Sequence, residues 1–147
     1  MHGQVALSWV GSLGADCVLI ANDKAATDEL QKTTLRLAKP HGVKLVIKTV
    51  ADSITSLKEG VTDHYKLLIV VGSVEDAKLL ADSYPGITHI NIGGVPPRPG
   101  ATRIAKVIFL QPGEMELLGE LADRDIEVEI RLLPKDRKIM FKDVRGS

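Results

Sequence analysis

Two short runs made almost wholly of apolar side chains constrain this chain most: Asp16 to Ala21 (DCVLIA) and Lys66 to Val71 (KLLIVV). Runs this short and this uniformly apolar read as strands buried on both faces, which is the situation in a parallel sheet sandwiched by helices. The sequence between and after them alternates accordingly. Asp23-Lys24-Ala25-Ala26-Thr27-Asp28-Glu29 opens a helix with carboxylates in its first turns, and the pattern continues through Leu30, Thr33, Thr34 and Leu37 until Pro40 and Gly42. Val43 to Thr49 is a β-branched strand, and Ala51 to Lys58 a short amphipathic helix on Ile54, Leu57 and the stem of Lys58, closed by Gly60. Ser73 precedes Glu75-Asp76 as an N-cap for a helix over Val74 to Ser83, with Ala77, Leu80 and Ala81 inward. Pro85-Gly86 turns into a strand, Thr88 to Ile92, that runs into Gly93-Gly94. The three prolines between Val95 and Gly100 impose a surface loop in which Arg98 reads as a solvated charge. Arg103 to Leu110 reads as one strand, and Pro112 starts a helix through Met115, Leu118 and Leu121. Ile126 to Leu133 alternates as an edge strand would, and Lys135 to Ser147 is a charged, weakly patterned tail.

Strands alternating with helices of about ten residues specify βαβ units. The expectation is an α/β fold: a mostly parallel open sheet with helices on both faces, in a single domain with its core in residues 1–134 and a tail over 135–147. In such sheets ligands gather outside the carboxyl ends of the strands. The loops expected to converge there are Asn22-Asp23, Gly72-Ser73 and Gly93-Gly94.

Composition narrows the functional classes. Nineteen Lys and Arg balance nineteen Asp and Glu, so nothing suggests a polyanionic partner such as nucleic acid. No signal-peptide pattern and no apolar run of about eighteen residues occurs, which points to a cytosolic protein. The lone Cys17, inside an apolar run, reads as a buried thiol. His41, His64 and His89 are scattered and read as surface residues, so neither a metal site nor a cofactor is expected. Neither G-x-G-x-x-G nor G-x-x-x-x-G-K-[ST] is present.

The chemistry concentrates at the beginning. Met1-His2-Gly3-Gln4-Val5 runs into a helical apolar stripe at Val5, Ala6, Trp9, Val10 and Leu13. A histidine at a helix mouth lies among free backbone N–H groups, where an anion such as a phosphoryl group is readily held. Its neutral imidazole is a competent nucleophile near neutral pH. The expected site is therefore His2 as acceptor, with the backbone N–H groups of Gly3, Gln4 and Val5 around the phosphoryl oxygens. Ser73 has two readings, a helix N-cap first and a phosphate donor second. Asp23 serves equally well as a capping residue or as a partner of His2. Gly93 and Gly94 allow close backbone approach, or simply a tight turn.

Taken together, His2-Gly3-Gln4-Val5 with Ser8-Trp9, Ile20-Ala21-Asn22-Asp23 with Asp28-Glu29, Asn91-Ile92-Gly93-Gly94 and Ile126-Glu127-Val128-Glu129-Ile130-Arg131 resemble the IIB component of the mannose/sorbose family of the bacterial phosphoenolpyruvate-dependent sugar phosphotransferase system. The resemblance covers nearly the whole chain, in the family's order. It implies a phosphocarrier that takes a phosphoryl group from a IIA protein onto His2. The group then passes to a hexose-type sugar entering through membrane IIC/IID components, which would hold the chain peripherally at the membrane. It also implies a departure: the family's histidine follows a first strand and a short Arg-x-Asp-x-Arg-Leu-x segment, where this chain has Met1 alone. Two rival readings follow: a non-catalytic or regulatory module, or inactive fragment, of the same fold, and a flavodoxin-like nucleotide-binding protein. Dimerisation by pairing of exposed strand edges also fits such a sheet.

Overall fold

The structure, a computed structural model, describes residues 9–60, 64–105 and 108–144. The chain divides into two compact units, one ending at Gly72 and the other beginning at Ser73.

In the first unit, the described chain opens with α1 (Trp9–Leu13); of the expected apolar stripe Trp9 and Val10 are buried, Leu13 is exposed, and Val5 and Ala6 lie outside the described residues. β1 (Cys17–Ala21) is buried at every position. It lies between β2 (Lys44–Lys48) and β3 (Leu67–Val71) and pairs with both in parallel, Leu19 opposite Val46 on one side and Ile69 on the other. Full burial of an all-apolar strand is what its sequence demands. Asp16 stitches the start of this sheet, its carboxylate accepting from the Lys66 backbone N–H at 2.7 Å. Val10, Val18, Ile20, Ala25, Leu35 and Val70 belong to the unit's core.

The helix expected from Asp23 to Leu37 is two helices, α2 (Asp23–Thr27) and α3 (Glu29–Ala38). Asp28 breaks it. Its backbone is extended (φ −103°, ψ 102°), and its carboxylate accepts from the Gln31 N–H at 3.1 Å as the N-cap of α3. An aspartate's preference for that capping geometry outcompetes continuation of the helix. The break also resets the helix phase. Leu35 is the buried leucine of α3, while Leu30, Thr33, Thr34 and Leu37, through which the sequence pattern runs, face solvent. α4 (Val50–Lys58) follows β2, capped by the Thr49 hydroxyl and closed by Gly60 at φ +75°.

In the second unit, α5 (Val74–Ser83) precedes β4 (His89–Ile92), which pairs in parallel with β7 (Glu127–Ile130). β7 pairs on its other side, antiparallel, with β8 (Ile139–Met140). The expected edge strand is thus the middle of its sheet. Its polar alternation reflects an ion-pair network built around the buried Glu129, with the half-exposed Glu127 beside it. Residues 103–110, expected as one strand, form two antiparallel strands, β5 (Thr102–Ala105) and β6 (Ile108–Leu110). α6 (Pro112–Ala122) packs on α5, and Lys78 bridges the pair, 2.8 Å from Asp82 and 3.3 Å from Glu120. Those carboxylates hold the Lys78 ammonium pKa above its ordinary value, the Asp82 hydrogen bond first. The segment that reads as a tail contributes β8 and α7 (Phe141–Val144), and Phe141 is fully buried in the unit's core with Ile108, Leu118, Leu121 and Val128. The α/β class with a parallel sheet and helices is as expected.

Candidate functional site

The loops that follow β1 and β3 meet in the first unit. Asn22 caps α2, its side-chain oxygen accepting from the Ala25 N–H at 3.0 Å, while its own N–H donates to Lys48. Gly72 lies so close that a Cβ there would fall 2.6 Å from Asn22 Nδ2. Glycine is required here by close approach rather than by backbone conformation. The Asp23 carboxylate accepts from the Val50 N–H at 2.8 Å, tethering the start of α4 to the end of β1. The caps themselves are Asn22 for α2 and Thr49 for α4, so Asp23 ties the two helix starts together across 27 positions of sequence rather than capping its own helix. Next to it, an open pocket of about 370 Å³ is lined by Thr27, Lys48, Thr49, Asp52, Thr55 and Ser56. Lys48 is not free in it, because its ammonium donates to the buried Ser56 hydroxyl.

In the second unit, Ser73 is the N-cap of α5, its hydroxyl accepting from the Asp76 N–H at 3.1 Å. Gly93 and Gly94 follow β4 without left-handed backbone, so the tight-turn requirement does not apply. Gly94 packs against Leu132 Cδ1 at an ordinary 3.7 Å from where a Cβ would sit. Asn91 brackets the neighbouring strand end: its amide donates to the Arg131 carbonyl at 2.9 Å, and its oxygen accepts from the Arg131 N–H at 3.0 Å. Gly94 and Asn91 thus serve the local architecture of this strand end.

His2, Gly3, Gln4 and Val5, the expected acceptor and its amide cradle, lie outside the described residues. Of the remaining expected positions, the structure joins Asn22 to Gly72 and Asp23 to the start of α4. Cys17 is buried as expected, and burial pushes its thiol pKa up, against the lowering influence of Lys44. A thiol so placed is a poor nucleophile.

Two arrangements escape the sequence. Arg98 is no solvated charge: its guanidinium donates to Glu114 Oε1 at 2.6 Å and to the Phe109 carbonyl at 3.1 Å. Glu114 is buried and also accepts from the Gln111 N–H at 2.8 Å, closing the start of α6. Burial alone would raise its pKa, but Arg98 and the Gln111 amide outweigh burial and hold the carboxyl below its usual range. His89 is likewise engaged. Its Nε2 lies 2.6 Å from Glu129 and 3.2 Å from Glu127 on the adjacent strand. Glu129, fully buried, is also held by Arg131 at 3.2 Å, and Glu127 by Lys138 at 2.8 Å. The Lys138 hydrogen bond, followed by the charges of His89 and Lys138, depresses the Glu127 pKa. One histidine and two carboxylates within 4.8 Å of one another have the chemistry of metal ligands. Here the guanidinium and ammonium already compensate both carboxylates, so the cluster reads as a structural ion-pair network. Proximity of β4 to β7, set by parallel register, is the only signal that could have found it.

The chain matches the family model described as PTS system sorbose subfamily IIB component over residues 1–145. It is 32% identical over 145 residues to a probable phosphotransferase enzyme IIB component of Streptococcus pyogenes serotype M6, covering 95% of this chain and 89% of that protein. It is 26% identical over 144 residues to the mannose-specific EIIAB component of Escherichia coli K12, covering 98% of this chain but 45% of that longer protein. The crystal structure of the IIBSor domain of the sorbose permease from Klebsiella pneumoniae superposes with a TM-score of 0.89 at 24% identity, covering 99% of this chain and 90% of that one. No helix among the described residues is long and apolar enough to cross a membrane.

Proposed function

Because the chain belongs to the sorbose subfamily of phosphotransferase-system IIB components, phosphocarrier domains of sugar uptake, we propose that it carries the phosphoryl group on His2. Components of this family work with IIA and IIC/IID partners and a sugar, and the specific reaction we infer is transfer from a phosphohistidine of a IIA protein to a sugar hydroxyl. The single observation that supports this reading is the family match over residues 1–145, which includes the His2-Gly3-Gln4-Val5 segment.

The chemistry is in-line displacement at phosphorus. One nitrogen of the neutral His2 imidazole attacks, the bond to the donor imidazole breaks, and the donor leaves with its electron pair. The backbone N–H groups of Gly3, Gln4 and Val5 are the proposed donors to the equatorial oxygens. In the second step a sugar hydroxyl attacks the phosphorus, loses its proton to a base, and releases the neutral imidazole of His2. The chain acts at the cytoplasmic face, held there by the permease. Ser73, Asp23, Gly93 and Gly94 support the architecture around the strand ends in this reading.

The test is phosphoryl transfer from phosphoenolpyruvate through the general phosphotransferase proteins and a cognate IIA. The expected result is an acid-labile, alkali-stable label on this chain that disappears in His2→Ala and persists in His89→Ala. Labelling unchanged by His2→Ala, or no labelling of the folded chain, would overturn the proposal.

A further inference from the structure

Helix α3 turns its inner side to the core through the buried Leu35, with Ala38 partly buried beside it, yet it carries two more leucines. Leu30 and Leu37 are 78% and 83% exposed. A single exposed leucine needs no explanation, but these two stand seven residues apart, almost in line along one face. Between them lie Thr33 and Thr34, both exposed. Their hydroxyls donate to the carbonyls of Glu29 and Leu30, each at 2.9 Å, so the helix itself consumes their donors. The outward stripe Leu30, Thr33, Thr34, Leu37 therefore offers apolar surface and no free donor.

The charges flanking this stripe say what covers it. Glu29 and Arg36 are exposed, lie seven residues apart, and share one flank of the stripe. Two copies of α3 laid antiparallel about a two-fold axis place Leu30 of each against Leu37 of the other, with the threonines at the centre. The same axis sets Glu29 of each copy beside Arg36 of the other, twice over. A parallel two-fold arrangement would carry this flank to the opposite side of the partner helix, and neither pair would form. Such self-complementarity, one patch meeting its own copy, is the mark of an isologous interface. Among the described residues the Glu29 carboxylate pairs with Lys32 at 3.5 Å and is 83% exposed, which leaves it accessible.

We propose that the exposed face of α3 is a homodimer interface, formed by antiparallel packing of α3 against a second copy of this chain. This does not depend on phosphoryl transfer. The patch is small, so the dimer is of the weak, transient kind, with a dissociation constant on the order of 0.1 mM.

Sedimentation velocity on the full chain, from about 10 μM to about 1 mM, reads it directly. The expected result is a concentration-dependent shift from monomer to dimer. Leu30→Glu with Leu37→Glu should weaken association at least about tenfold. Both positions are exposed, so an unchanged circular dichroism spectrum separates lost association from lost fold. Glu29→Arg should weaken association, and Glu29→Arg combined with Arg36→Glu should restore it. A monomer at every concentration, or a dimer indifferent to the leucine and charge substitutions, would overturn the proposal.

Discussion

At the scale of single residues, the sharpest prediction concerns Arg98 and Glu114. Glu114 is 3% exposed and its carboxylate is satisfied by one guanidinium and one backbone amide. Arg98→Met removes the cation and strands a buried charge. The expected cost is about 1–3 kcal/mol at neutral pH. That is less than the cost for a fully buried pair, because the Arg98 side chain is 34% exposed and water screens it. Its pH dependence has a defined sign. The depressed folded-state pKa of Glu114 means that its stabilisation is present above the ordinary carboxylate range and lost as pH falls through the folded value. The gap between wild type and Arg98→Met, measured by urea unfolding, should therefore be widest near neutrality and narrow in acid. A gap independent of pH would show that Arg98 acts by packing instead. None of this is legible in Pro96-Pro97-Arg98-Pro99, since the prolines predict a loop correctly but not that the loop folds back onto the start of α6. Ser73 is legible, because an N-cap is a local matter settled within four residues.

At the scale of elements, the contact of Gly72 with Asn22 joins the ends of β3 and β1. Gly72→Ala would place a Cβ 2.6 Å from Asn22 Nδ2, and Asn22 can yield only by giving up its cap on α2. The expected destabilisation is about 1–3 kcal/mol. In an Asn22→Ala background, where the obstructing amide is gone, the same substitution should cost less than about half as much, so a double-mutant cycle measures the contact. Additive costs would mean that the glycine serves some other end. Elements are otherwise legible where one run of sequence determines them, as with the buried β1. The sequence misleads where two signals compete. The periodicity from Asp23 to Leu37 supports one helix, yet Asp28 inside it is also a good cap for the next, and a break resets which face points inward. Likewise Arg103 to Leu110 has strand composition throughout, but composition does not reveal that the chain reverses and pairs with itself. Alternation in β7 suggests an edge because Glu129 is buried yet polar, its charge met by His89 of β4 and by Arg131, while Glu127 stays half-exposed beside His89 and Lys138. His89 sits 38 positions upstream of Glu127, directly opposite it in register, and only the pairing of β4 with β7 brings them together.

At the scale of the whole molecule, each compact unit has its own apolar core, and the second draws part of its core from the last residues of the chain. Phe141 is completely buried against a core that includes Leu118, Leu121 and Val128, while β8, immediately before it, pairs with β7. Charged neighbours such as Lys135, Asp136, Arg137 and Lys138 make this stretch read as a tail, and Lys138 is in fact the cation that holds Glu127. A single aromatic in a polar stretch carries little periodic signal, yet it fills more volume than any neighbour that does. Phe141→Ala should cost about 3–5 kcal/mol, a large share of the roughly 5–15 kcal/mol that stabilises a typical domain. Removing residues 135–147 should go further and abolish cooperative unfolding of the second unit, because it strips the buried ring, a strand pairing and the partner of Glu127 together. Thermal unfolding followed by circular dichroism, with hydrogen exchange along β7, tests both. Retention of wild-type protection at Val128 and Glu129 in the shortened chain would show that the segment is dispensable. Loss of that protection, with β1 unaffected, would place the stabilising contribution of the C-terminal segment in the unit whose core it completes.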